Sequence, residues 1–180
     1  MALPSKVYKA FIQLSDIGRG VYETLQATVA QHPSETEERL VARLLAYAIF
    51  HEPELAFTKG LSATDEPDLW VKRADDRVRL WVEVGLPEPD RIIKAGRHSE
   101  RVALLACGRQ LAAWDQQQLP KLEKLTNLTV ISIDPAIIAK LAAQLERTIA
   151  WSVTITEGTI YLTVGEETLE SAIQMKAGSP

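Results

Sequence analysis

Cysteine is nearly absent: Cys107 is the one thiol in 180 residues. No internal disulfide can form, which suits a reducing compartment. Aromatic residues are scarce at 6%, leaving little material for a surface that stacks on bases. A basic excess is missing too. With a formal charge of −4, any contact with phosphate must come from a local patch. No apolar run approaches the roughly 20 residues of a membrane-spanning helix. The opening MALPSKVYKAFIQ lacks the apolar core of a secretory signal. The expectation is a cytoplasmic protein with no membrane partner. The glycines build neither a P-loop nor a dinucleotide fingerprint, so no nucleotide cofactor is expected. His32, His51 and His98 share no metal-ligand spacing.

What is present is ordinary globular material: 46% hydrophobic and 24% charged residues, which argues against disorder. The length suits one domain over residues 1–180. KVYKAFIQLSD and VYETLQATVA read as strands joined by a glycine-containing hairpin loop, IGRG. HPSETEERLVARLLAYAIFHEP reads as a helix with Ser34 as N-cap, stopped at Pro53. A short strand near LAFTK and a hairpin over residues 67–84 follow. PEPDRIIKAGRHSE reads as a helix, RVALLAC as a buried strand with Cys107 buried at its end, and LPKLEKL as part of another helix. LTVISID is a further buried strand, and PAIIAKLAAQLER a helix with Pro135 in its first turn. AWSVTITEGTIYLTVGEE is a hairpin turning at Glu157-Gly158. The order over about 34–147 argues an α/β (α+β) fold, a mixed sheet flanked by helices, with the terminal hairpins as added strands.

The stretch EPDLWVKRADDRVRLWVEVG (residues 66–85) poses a chemical question. A turn at Asp75-Asp76 sets Trp70 against Trp81 and Asp68 against Glu83. The alternation puts Leu69, Val71, Leu80, Val82 and Val84 on one face, and Asp68, Trp70, Trp81 and Glu83 on the other. Opposed carboxylates stand about 5 Å apart at Cβ and repel, unless a cation lies between them. Mg²⁺ prefers such oxygen donors. The alternative is a salt bridge from each acid to Lys72, Arg79 or Lys94.

Two further groups bear on this site. Ser34 and Glu37 have the spacing of a capping box. Glu37 also falls within the apolar stripe Leu40, Val41, Leu44, Leu45 and Ala48, pointing it toward the sheet. Glu35 and Arg39 fall on the outer face. Trp70 and Trp81 are expected to pack beneath this helix. On the helix after Glu83, Arg91, Lys94 and His98 share a face, with Arg97 and Arg101 close by. Such a run reads as a solvated face, or as cations that neutralise a phosphate in a transition state. Lys59, in FTKG, is another cation near the hairpin entrance, and reads equally as solvated.

HPSETEERLVARLLAYA, FTKGLSATDEPDLW and WVEVG, in this order, resemble the YaeQ family of small bacterial proteins over nearly the whole chain. That family's fold is similar to the PD-(D/E)XK, or restriction-endonuclease-like, nucleases. The resemblance implies a Mg²⁺ (or Mn²⁺) site on Asp68, of Pro67-Asp68, and Glu83. It implies a first-helix glutamate at Glu37, with Glu38 as substitute. The motif lysine falls at Gly85, a departure that puts catalysis in question, and Lys94 is the matching lysine on the neighbouring helix. Lys59, Arg91 and Arg97 are the implied nucleic-acid contacts. The function implied is a Mg²⁺-dependent nuclease or phosphodiesterase acting on DNA or RNA. The alternative is a nuclease-like fold without catalysis, serving as an interaction module for nucleic acid or protein.

Overall fold

The structure is a computed structural model and describes residues 3–59 and 64–178. In chain order its elements are β1 (Lys6–Asp16), β2 (Val21–Gln31), α1 (Glu37–Ile49), β3 (Ala56–Phe57), β4 (Leu69–Lys72), β5 (Val78–Gly85), α2 (Pro89–His98), β6 (Ser99–Ala106), α3 (Leu111–Gln117), β7 (Leu128–Ser132), α4 (Pro135–Ala143), β8 (Thr148–Thr156), β9 (Thr159–Val164), β10 (Glu167–Ala172) and β11 (Gln174–Ala177). Together they make a mixed α+β fold with two mixed sheets and four α-helices among the described residues. The chain divides into two compact units, Met1–Ile49 with Ile133–Ile173, and Phe50–Ser132 with Gln174–Pro180. No helix among the described residues is long and apolar enough to cross a membrane.

In the first unit, β1 buries Tyr8, Ala10, Ile12, Leu14 and Asp16, every second residue. That period of two gives one dry face and one wet face. β1 pairs antiparallel with β2, and Asp16 holds the turn by accepting from Arg19 N (3.2 Å) and Arg19 Nε (2.6 Å). β8 lies parallel to β1 on its other side. Glu157 and Gly158, both at positive φ, make the two-residue turn into β9, and the sheet order is β10-β9-β8-β1-β2. The terminal hairpins therefore pair with each other in a sheet of their own, and do not extend the sheet that carries β4 and β5. α1 is buried from Leu40 to Ile49, and α4 is capped by the Asp134 carboxylate on Ala136 N (2.8 Å).

The N-terminus of α1 differs from the capping-box reading. Thr36 Oγ1 accepts from Arg39 N (3.2 Å), so Thr36 is the cap, and Ser34 bonds the ring of His32 instead. Glu35 then falls before the helix and is buried, not solvated as expected. It takes Arg39 Nη1 at 2.7 Å and Arg43 Nη2 at 2.6 Å.

The second unit is built on the sheet β11-β7-β6-β5-β4-β3. Strands β5, β6 and β7 are parallel, so the chain must cross over between them, through α2 and then through α3 with a 3-10 turn at Leu119–Leu122. LPKLEKL therefore holds this short turn, and the helix expected between β6 and β7 is α3, which lies just before it. Ile92, Val102, Leu104, Trp114, Leu122 and Val130 form the core between these helices and the sheet. Trp81 packs against that cluster. Cys107, just past β6, is partly exposed.

Candidate functional site

The β4–β5 hairpin positions both acids. Leu69 pairs with Val82, Trp70 with Trp81 and Val71 with Leu80, the register that the alternation implied. Its tip is built differently. Arg73 N donates to Arg77 O (2.8 Å) and Asp76 N to Arg73 O (3.0 Å), with Asp76 at φ +65°. The loop is thus residues 74–76, three residues, which alone would set every pair one place off. Arg79 absorbs the difference. Lys72 pairs with Val78 while Val71 pairs with Leu80, so Arg79 is left over as a bulge.

The ladder stops at Leu69↔Val82, one step short of an Asp68–Glu83 pair. Asp68 N donates to Val82 O (3.0 Å), and Asp68 Oδ2 accepts from Val84 N (2.8 Å). The carboxylate thereby takes over a backbone donor beyond the end of β4, which fixes it beside β5. Asp68 is 2% exposed and Glu83 is 5% exposed. Glu83 Oε1 accepts from Trp81 Nε1 (2.9 Å), a neighbour two residues back on the same strand face, and from Arg91 Nε (2.8 Å). Burial raises the Glu83 carboxyl above the ordinary glutamate range. Arg91 opposes that rise, and the charge of Asp68 adds to it. The two acids thus stand within electrostatic reach of each other.

Arg91 is a cation that answers the repulsion at Glu83. α2 starts at Pro89 and buries Pro89, Ile92 and Ala95, which leaves Arg91 at the margin of the buried face with its side chain 33% exposed. Its Nε serves Glu83. Its Nη1 donates to Thr64 O, and its Nη2 to Glu66 O (2.7 Å). One planar fork so ties Glu83 to the backbone leading into Asp68. Thr58 meets that backbone as well, through its N–H to Asp68 O (3.1 Å) and its hydroxyl to Pro67 O.

Lys94 and Arg97 are exposed on α2, and Lys59 is exposed at the end of a described segment. Gly85 sits at φ +109°, a conformation that L side chains rarely adopt, although a Cβ there would meet nothing within 4 Å. The backbone, not crowding, keeps a lysine from that position. Glu37 and Glu38 are exposed in the first unit, where Glu37 lines a pocket of about 580 Å³ with Lys6, Tyr8, Glu146 and Arg147. Among the described residues no three His, Cys, Asp or Glu side chains gather as a metal-binding group. Trp81 Nε1, a donor to Glu83, is not among the site groups expected from the sequence. The i, i+2 spacing of residues 81 and 83 on one strand face could have shown it.

Comparison with known proteins bears on the whole chain. The family model described as "YaeQ protein" matches residues 1–173. The YaeQ protein of Salmonella typhi is 39% identical over 178 residues, covering 98% of this chain and 97% of that protein. The YaeQ protein of Escherichia coli K12 is 38% identical over 171 residues, covering 94% of each. The crystal structure of YaeQ from Pseudomonas syringae, 43% identical, matches with a TM-score of 0.94 over 99% of each chain. That from Xanthomonas axonopodis pv. citri, 32% identical, gives 0.93 over 97% of this chain and 99% of the other. On sequence and fold alike, the chain belongs to the YaeQ family.

Proposed function

We propose that the second unit is a Mg²⁺-dependent phosphodiesterase of the PD-(D/E)XK type, acting on DNA or RNA. The observation that carries this reading is the pair of buried carboxylates, Asp68 and Glu83, in which the charge of one raises the proton affinity of the other. The order of a hairpin, a crossover helix and a parallel strand, β4–β5–α2–β6, supports it.

The donors fit a hard cation. Both are carboxylates, and no described residue bonds Glu83 Oε2. Asp68 and Glu83 would hold Mg²⁺, or Mn²⁺, with water and substrate phosphate completing the shell. The ion supplies Lewis-acid polarisation of a phosphate oxygen. Asp68, fixed by Val84 N–H, keeps its carboxylate in place without substrate. Lys94, three residues past Arg91 on α2, is the lysine available to orient water or to offset charge on the phosphate, since Gly85 cannot. Lys59 and Arg97 would contact the substrate backbone. Purified protein with Mn²⁺ is expected to cut a nucleic acid, and Asp68→Ala to abolish the cut. Cleavage that survives Asp68→Ala sinks the assignment.

A second reading is favoured by Arg91, which already neutralises Glu83. Here the scaffold binds nucleic acid or a protein without chemistry. No metal would then produce cleavage, and nucleic-acid binding through Lys94 and Arg97 would weaken steeply with salt.

A further inference from the structure

Arg91 spends all three of its nitrogen donor positions on the protein. Nε goes to Glu83, and the two Nη groups go to the carbonyls of Thr64 and Glu66. The guanidinium carbon lies 5.8 Å from the ring centre of Trp81, whose own N–H shares Glu83 Oε1. A divalent ion on Glu83 would face this positive charge at close range. Both cannot be held by the same carboxylate at full strength.

We propose that Arg91 is the resident counter-ion of Glu83. A divalent cation binds by displacing its guanidinium from Glu83. The proposal rests on the metal reading above and deepens it, because it names what the metal competes with. The site with no ion bound is thereby stable: Glu83 is paired, and the approach to Asp68 is tied down through Thr64 and Glu66. Both bonds to Glu83 fall on Oε1, so the ion enters at Oε2 and its charge drives the guanidinium off the shared carboxylate; the affinity of the wild-type chain is reduced by the strength of that pair. The anionic phosphate of a substrate would offer the displaced guanidinium a new partner. Metal and phosphate would then favour each other's binding, each removing a cost to the other.

The test is calorimetric titration of the full chain with Mn²⁺ at pH 8. Wild type, Arg91→Gln and Arg91→Lys are compared. Arg91→Gln removes the competing charge and is expected to bind Mn²⁺ about tenfold more tightly, which corresponds to about 1.4 kcal/mol. Arg91→Lys keeps a charge near Glu83 and is expected to bind close to wild type. The gain must disappear when Asp68→Ala is added to Arg91→Gln. A fluorescence titration with Mg²⁺ gives a second readout. Emission should shift as Arg91 leaves Trp81, and the shift should be absent in Trp81→Phe.

Equal affinity in wild type and Arg91→Gln leaves the metal reading standing and overturns the role given to Arg91. Weaker binding by Arg91→Gln overturns it as well, since Arg91 would then support the ion. No binding by any of the proteins removes the metal reading and this inference together. Should Arg91→Gln melt far below wild type, the wild-type fluorescence titration decides: Trp81 emission that stays unchanged at saturating Mg²⁺ overturns the displacement.

Discussion

Glu83 places a carboxyl group where its charge is disfavoured: burial outweighs the help of Arg91, and Asp68 adds to the burden. Its folded-state pKa lies above its unfolded value, so the folded chain holds this proton more tightly. The stability it lends is fully present below the ordinary carboxylate range, about pH 4, and is lost as pH rises through the raised value. Urea unfolding from pH 4 to 8 is therefore expected to show a decline that Glu83→Gln lacks. Relative to wild type, Glu83→Gln should gain stability as pH rises. Parallel curves for the two proteins would show that Glu83 is not the group responsible. The alternation of residues 68–71 and 80–83 made both acids legible in the sequence. The partner of Glu83 was less legible. Helical spacing placed Arg91 with Lys94 and His98, and only the packing of Ile92 and Ala95 turns Arg91 toward the strand while Lys94 stays wet.

Between residue and element lies α1, whose entry is fixed by a buried ion network. Glu35, Arg39 and Arg43 are spaced by four, yet Glu35 precedes the helix. Its backbone carbonyl accepts from Gln31 Nε2 (2.8 Å), while its carboxylate takes both arginines. Arg43 also donates to Ala30 O (2.9 Å), so one guanidinium joins α1 to β2. Side chains of Glu35 and Arg43 are 2% and 4% exposed, whereas that of Arg39 is 25% exposed. Breaking a buried pair from one side costs about 3–5 kcal/mol. Arg43→Met is expected near the lower end of that range, because Arg39 remains on Glu35. Arg39→Met should lose about 1 kcal/mol or less. A double-mutant cycle with Glu35→Leu should recover much of the Arg43→Met loss. If Arg39→Met costs more than Arg43→Met in urea unfolding, the ranking by burial is wrong. The spacing of four was visible in the sequence. The competition of Ser34 and Thr36 for the cap was not decidable there, since it turned on the His32 ring taking Ser34. The hairpin tip holds a similar lesson. Alternation carries the register, but it says nothing of how a three-residue loop and the Arg79 bulge cancel.

Assignment of elements to sheets is the property of the whole molecule that the amphipathic patterns did not encode. Strand by strand, the local patterns mark β1 through β9. Yet the parallel pairing of β1 with β8 joins Lys9 to Thr148, and no local signal reports a contact so distant in sequence. β11 is the extreme case. The family model ends at residue 173, and β11 begins at Gln174. Even so, β11 completes the sheet of the second unit by pairing with β7, Met175 opposite Ile131 and Ala177 opposite Val130. Lys176 Nζ reaches Asp115 on α3 at 2.5 Å, and Ala177 packs against the core cluster. Gly178, at φ +84°, passes so close to β7 that a Cβ there would lie 2.4 Å from Leu128 O. A strand this closely fitted protects the β7 edge rather than hanging from it. Ending the chain at Ile173 removes several ladder hydrogen bonds at about 1 kcal/mol each and opens that edge. Amide exchange in β7 is then expected to quicken by tenfold or more, at about 1.4 kcal/mol per factor of ten, while β1 and β8 keep their protection. Gly178→Ala should give the same pattern more weakly, through strain and the clash with Leu128 O. Were β7 to keep full protection without residues 174–178, β11 would be an appendage, and the sheet of the second unit would need only the strands that lie within the family match.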